Sequence, residues 1–107
     1  MYGLAEKVIF AKVKAALGLD RCTFAFSGAA PMPVETMKYF GSLGIQINEV
    51  YGMSECTGAA TWSTDETNKW GSVGFAFPGL EIKVSHNKDR GDKAGEGELC
   101  FRGRNVM

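Results

Sequence analysis

Ile45-Gln46-Ile47-Asn48-Glu49-Val50-Tyr51-Gly52-Met53-Ser54-Glu55 is the stretch on which the fold turns. Ile45, Ile47 and Val50 predict a strand over 45–50, and Gly52 predicts a turn at its end. That turn presents a ring (Tyr51), a hydroxyl (Ser54) and a carboxylate (Glu55) within five residues. A ring can stack on a base, a hydroxyl can bond a phosphate oxygen, and a carboxylate can hold Mg²⁺ beside that phosphate. One short turn can thus serve three parts of a bound nucleotide.

The residues before it complete a unit. Arg21 to Phe26 predicts a short strand with Cys22, Phe24 and Phe26 on one face and Ala25 on the other, a pattern of two-sided burial. Ser27-Gly28-Ala29-Ala30-Pro31 breaks it. Pro33 suits the first turn of a helix that runs to about Leu43, with Val34, Met37, Phe40 and Leu43 as its apolar side and Gly44 as its stop. Strand, helix and strand at this spacing predict a parallel pair with a right-handed crossover. Both suspicious turns, Ser27–Pro31 and Tyr51–Glu55, then lie beyond the carboxyl ends of neighbouring strands. Open α/β sheets bind ligands there.

The flanks are simpler. Leu4 to Leu17 predicts a helix ended by Gly18; its apolar residues spread around the axis, so it should be covered on most faces, by parts of the protein outside this chain. After Glu55 the chain becomes β-rich. Short strands are expected at Ala59–Thr61 and Ser72–Phe75, with a polar loop at Ser63–Lys69 between them. Pro78-Gly79 is a turn, and Leu80, Ile82 and Val84 alternate as a strand that can pair with Glu98–Arg102. Asn87–Gly97 reads as an exposed connection. The fold class is α/β: a parallel strand–helix–strand unit followed by a β-rich segment.

Composition bounds the function. The chain has 107 residues, 45% hydrophobic and 22% charged, room for one small domain at most. Lys+Arg and Asp+Glu both number 12, so there is no electrostatic case for nucleic acid or for an anionic membrane surface. Three widely spaced cysteines, Cys22, Cys56 and Cys100, point to buried, reduced thiols in an intracellular, cytoplasmic protein. Met1–Gly18 mixes charges into its apolar residues and lacks the core of a secretory signal. The single histidine, His86, sits in a charged loop, so neither a Ser/His/Asp triad nor a zinc site can be assembled. The glycine motifs that cradle phosphates before Lys-Ser/Thr are absent.

Each candidate also has a bland explanation. Ser27–Pro31 can be a tight turn, Tyr51 a core aromatic, Ser54 a cap, Glu55 a solvated carboxylate, and Glu49 half of an ion pair with a nearby Arg or Lys. Their order along the chain weighs against coincidence. Ser27-Gly28-Ala29-Ala30-Pro31-Met32, then Tyr51-Gly52-Met53-Ser54-Glu55, then Gly97-Glu98-Leu99-Cys100-Phe101-Arg102-Gly103 resemble, in sequence, three blocks of the adenylate-forming superfamily. Gly71-Ser72-Val73-Gly74 with Pro78-Gly79 fits the segment between them. The resemblance covers about residues 21–107. The variant Tyr-Gly-Met-Ser-Glu, with Asn48-Glu49-Val50 before it, is most similar to long-chain fatty acyl-CoA synthetases of the bubblegum type.

The resemblance implies that a fatty acid is joined to AMP from ATP with Mg²⁺, and that CoA then displaces AMP. It implies that Gly28, Ala29 and Ala30 line adenine beside Ser27, that Glu49 faces its amino group, and that Tyr51 stacks on it above Gly52. Ser54 would contact the α-phosphate, Glu55 would hold Mg²⁺, and Gly74 would lie near the acyl pocket. It further implies that residues 1–107 are one partial domain, from the middle of the large AMP-binding domain. The phosphate loop, the ribose-binding aspartate and the small lysine-bearing C-terminal domain of that family do not occur here. The isolated chain is expected to be inactive and to expose apolar surface. A nucleotide-binding or interaction module without catalysis is the alternative. Membrane association is not legible.

Overall fold

A computed structural model describes residues 2–107, and Met1 of the signal reading lies outside them. Six strands and two helices follow in the order α1 (Tyr2–Ala16), β1 (Ala25–Ser27), α2 (Val34–Ser42), β2 (Ile47–Met53), β3 (Gly58–Trp62), β4 (Phe75–Ala76), β5 (Leu80–Ser85) and β6 (Glu98–Gly103). β1 and β2 are parallel; β2, β3 and β4 continue the sheet antiparallel, in the order β1-β2-β3-β4. β5 and β6 form a separate antiparallel ribbon, in which Glu81 faces Arg102 and pairs with it.

Both helices stop where their glycines predict. Gly18 and Gly44 have φ of 71° and 70°, a left-handed turn that other residues adopt at a cost. At each, two backbone bonds cap the last turn: Gly18 N–H to Ala15 O and Leu19 N–H to Lys14 O, then Gly44 N–H to Gly41 O and Ile45 N–H to Phe40 O. Pro33 precedes α2, and its carbonyl accepts from Thr36 and Met37. Met37 is the buried residue of the predicted apolar side.

The strand at 45–50 does not turn at Gly52. β2 runs on to Met53, and Gly52 pairs with Ala59 after an irregularity between Tyr51 and Gly52. The glycine serves a close crossing of two backbones. A Cβ at Gly52 would overlap the Gly58 carbonyl and lie 2.7 Å from Ala59 Cα. A single sequence cannot tell a glycine needed for a turn from one needed for close approach.

Other expectations need correction. β1 begins at Ala25 rather than Arg21, and β4 at Phe75 rather than Ser72. Two-sided burial of β1 fails, since Phe24, Phe26 and Cys22 are exposed. β1 is an edge strand among the described residues; Ala25 and Ser27 are half-buried, and the face that carries Phe26 is open. The described residues do not cover the first helix: Leu4, Val8, Ile9 and Leu17 are all at least half exposed, which agrees with a cover expected from outside this chain. Cys56 is buried as expected of a small hydrophobe, while Cys100 joins Cys22 at the surface; all three are free thiols.

The core is small. Cys56, Ala60 and Leu80 are its buried centre, with Tyr51, Met53, Ile82, Phe101 and Val106 packed around them. It joins the end of β2 to the β5–β6 ribbon. A second anchor is polar. Asn48, fully buried, donates to Asp65 Oδ1 (2.7 Å) and accepts from Asn68 Nδ2 (2.9 Å), which also donates to the Ile47 carbonyl. This satisfied network fixes the 63–69 loop against β2, as burial of an amide requires. The radius of gyration is 17.7 Å, well above the ~13 Å of a compact domain of about 100 residues. The 87–97 connection is exposed but tied: Asn87 N–H and then Arg90 hold the Asp92 carboxyl below its ordinary range.

Candidate functional site

The carboxyl ends of β1 and β2 bring the two turns together. Ser27 and Glu49 are register partners across the parallel pair. A Cβ at Gly28 would sit 3.0 Å from the Val50 carbonyl, so the Ser27–Pro31 turn lies close on β2. Phe26, Gly28, Ala29, Val50, Ser54 and Thr57 line a shared cleft of about 390 Å³, together with Gly52, Met53, Gly58 and Ala59. The predicted convergence of Gly28, Ala29, Gly52 and Ser54 on one place is therefore present. Ala30 caps the turn, its N–H donating to the Gly28 carbonyl at 2.9 Å.

Glu49 and Tyr51 do not line that cleft. They alternate with Val50 and so belong to the other face of β2. Tyr51 stacks on Phe101 of β6, with centroids 6.3 Å apart and planes at 24°, and stays half-buried. Its aromatic partner in the structure is thus a side chain of the core. Glu49 is held at its backbone by Ser63, whose hydroxyl accepts the Glu49 N–H at 2.8 Å and whose own N–H donates to the Glu49 carbonyl at 2.9 Å. Its carboxylate is another matter. Oε2 is buried and has no hydrogen-bond partner among the described residues, and the ion pair with Arg or Lys is not formed. A buried carboxylate oxygen without a donor is costly, and it suits a ligand that brings one.

Ser54 and Glu55 belong to a three-residue 3₁₀ turn, Ser54–Cys56, directly after β2. Both are exposed, while Cys56 anchors the turn in the core at 1% exposure. Among the described residues no cluster of three His, Cys, Asp or Glu could enclose a metal ion. Mg²⁺ keeps waters and takes one or two carboxylates plus substrate phosphates, so a single exposed carboxylate such as Glu55 could serve it. Backbone strain marks the same places. Among the described residues the non-glycines with positive φ are Ala29 (69°), in the first turn, and Thr57 (58°), directly after the 3₁₀ turn. Such residues cost about 1 kcal/mol or more and collect at ligand-binding turns.

A larger hollow of about 820 Å³ lies at the other end of β2, lined by Lys38, Gln46, Asp65, Asn68, Lys69 and Trp70 among others. Most of its polar side chains are engaged with one another or with the backbone: Lys38 pairs with Glu35, Gln46 and Asn48 bond to Asp65, and Asn68 bonds to β2. His86 is exposed, with Nδ1 3.0 Å from the Glu96 carbonyl, far from either turn. Sequence reasoning missed Ser63, Asn48 and the 105–107 segment. Their partners lie 14 to about 50 positions away, beyond any local pattern.

Residues 3–107 match the family model described as AMP-binding enzyme. The chain belongs to the AMP-binding enzyme family. It is 42% identical over 106 residues to the long-chain-fatty-acid–CoA ligase ACSBG2 of Xenopus laevis, covering 99% of this chain and 14% of that protein. It is 40% identical over 107 residues to human ACSBG2 (99% and 15%) and 37% identical over 104 residues to rat ACSBG1 (97% and 14%). The chain thus spans about one-seventh of the length of these relatives. Among solved structures it resembles a malonyl-CoA ligase with methylmalonyl-CoA and AMP bound: TM-score 0.61, 31% identity, 78% of this chain and 18% of that one. It also resembles o-succinylbenzoate coenzyme A synthetase of Bacillus subtilis in complex with ATP and magnesium, at TM-score 0.61 and 25% identity, over 77% and 18% of the chains. The mixed α/β architecture of the adenylate-forming enzymes and the bubblegum-type resemblance both hold.

Proposed function

We propose that this chain is part of an ATP-dependent long-chain fatty acid–CoA ligase and forms one wall of its adenylation site. The observation that carries the proposal is the 42% identity to such a ligase over 106 residues, nearly the whole chain. The strained Ala29 and Thr57 turns and the partnerless Glu49 Oε2 support it from geometry. The fatty-acid carboxylate attacks the α-phosphorus, the bond to pyrophosphate breaks, and an acyl-AMP forms. The CoA thiolate then attacks the acyl carbon, and AMP leaves with the carboxyl oxygen. Mg²⁺, when bound, neutralises charge on the phosphates.

Each residue has a positioning or charge role. Ser27, Gly28, Ala29 and Ala30 offer backbone to the adenine edge, and Glu49 Oε2 accepts from its amino group. Tyr51, on the same side of β2 as Glu49, would meet the ring face where Phe101 now stacks. Ser54 would donate to the α-phosphate, and the Glu55 carboxylate would hold Mg²⁺ beside it. Fixing donors and charge before reaction is how phosphoryl chemistry is accelerated. The elongated shape and exposed α1 support a partial domain at 1–107, completed by other parts of a longer polypeptide. No helix among the described residues is long and apolar enough to cross a membrane. We place the enzyme in the cytoplasm, on the reduced thiols.

The test compares the isolated chain with the full-length polypeptide that carries it. The full-length protein should release pyrophosphate with oleate and ATP, and form oleoyl-CoA once CoA is added; the 107-residue chain should do neither. Nucleotide binding by the full-length protein without pyrophosphate release would support a non-catalytic module instead.

A further inference from the structure

We infer that Asn105 and Thr57 are positioning residues that lock the Ser54–Glu55 turn in place from the end of β6. This rests on the reading of Glu55 as the Mg²⁺·ATP carboxylate. The 3₁₀ turn is only three residues long and has no side-chain cap at its start. Its own closing bond is Thr57 N–H to Ser54 O at 2.9 Å. Three further bonds reach it from 48 to 52 positions along the chain. Asn105 Nδ2 donates to the Cys56 carbonyl at 3.0 Å, Thr57 Oγ1 donates to the Asn105 carbonyl at 2.7 Å, and Met107 N–H donates to the Glu55 carbonyl at 2.9 Å. Val106, between these two residues, packs on the core that holds Cys56.

The geometry has a purpose that packing alone does not explain. Cys56 already anchors the turn, but one buried side chain cannot fix the direction of the exposed residues before it. The Thr57 N–H on the Ser54 carbonyl and the Met107 N–H on the Glu55 carbonyl fix the two peptide planes that flank Glu55, and the Asn105 side chain on the Cys56 carbonyl fixes the next; together they set the exit direction of the Glu55 side chain. Thr57 pays for its left-handed backbone by bringing its hydroxyl to Asn105. The β5–β6 ribbon therefore sets where the carboxylate points, although it contributes no residue to the cleft.

The test uses Asn105→Ala, Thr57→Val and Thr57→Ser. In the ligand-free 107-residue chain, Asn105→Ala should speed amide exchange at Thr57 and Met107 about tenfold, with Phe26 and Glu49 unchanged, because local opening reports local ties. In the full-length protein, Asn105→Ala and Thr57→Val should raise the Mg²⁺ concentration for half-maximal pyrophosphate release about tenfold, as a misplaced charge would. The KM for oleate should hold, and Thr57→Ser should restore the wild-type Mg²⁺ requirement. A merely structural role would lower the amount of active protein without moving that midpoint. An active wild type with unshifted midpoints in both variants overturns this inference alone. A wild type without oleate- and Mg²⁺-dependent pyrophosphate release overturns the functional reading and the inference with it. If Asn105→Ala does not fold, the Thr57 pair decides.

Discussion

Replacing Glu55 with alanine in the full-length protein is expected to slow fatty-acid adenylation by about 100- to 1,000-fold, the usual effect of removing one charge-stabilising group from a transition state. Its stability should change by less than about 0.5 kcal/mol, because the side chain is exposed and leaves no cavity. The two numbers separate chemistry from folding. Pyrophosphate release in stopped assays gives the first and urea unfolding gives the second. The deficit should be largest at limiting Mg²⁺, since the carboxylate is proposed to hold the ion beside the phosphates. Unchanged release at every Mg²⁺ concentration would remove Glu55 from the site.

Gly52→Ala should act in the opposite way. The new Cβ would overlap the Gly58 carbonyl and crowd Ala59 Cα, both backbone atoms that cannot swing aside. β2 and β3 would have to separate at their irregular pairing, next to the core residues Cys56 and Ala60. Overpacking of this kind costs about 3 kcal/mol, a large part of the stability available to a small domain. Gly3→Ala is the control. Nothing lies within 4 Å of its new methyl group, and it sits in α1, where alanine stabilises relative to glycine. Equal unfolding midpoints for Gly52→Ala and wild type would show that the crossing is looser than the structure has it.

How legible the molecule was in its sequence depended on the range of each signal. Gly18 and Gly44 end helices through bonds within five residues, so both stops could be read. The Leu80/Ile82/Val84 alternation and Glu98–Arg102 form the expected hairpin. Parallel pairing of β1 and β2 followed from the length of the crossover, and it was enough to bring Gly28 and Ser54 to one cleft. Gly52 misled because the same residue type serves turns and close approaches. The burial of Phe24 and Phe26 misled because it depends on what covers the sheet, which no local pattern records. Asn48 looked like an ordinary polar residue beside a motif. Its burial is made possible by Asp65 and Asn68, some 20 positions later. Asn105 was invisible for the same reason.

A crystal structure of the full-length protein with AMP decides whether adenine lies between the Ser27–Ala30 turn and the Glu49–Tyr51 side of β2. The adenine amino group should then be within hydrogen-bond distance of Glu49 Oε2, with the ring edge along the Gly28–Ala30 backbone and Tyr51 against its face. A nucleotide found in the hollow between Lys38 and Trp70, or with Glu49 Oε2 still without a partner, would contradict this placement.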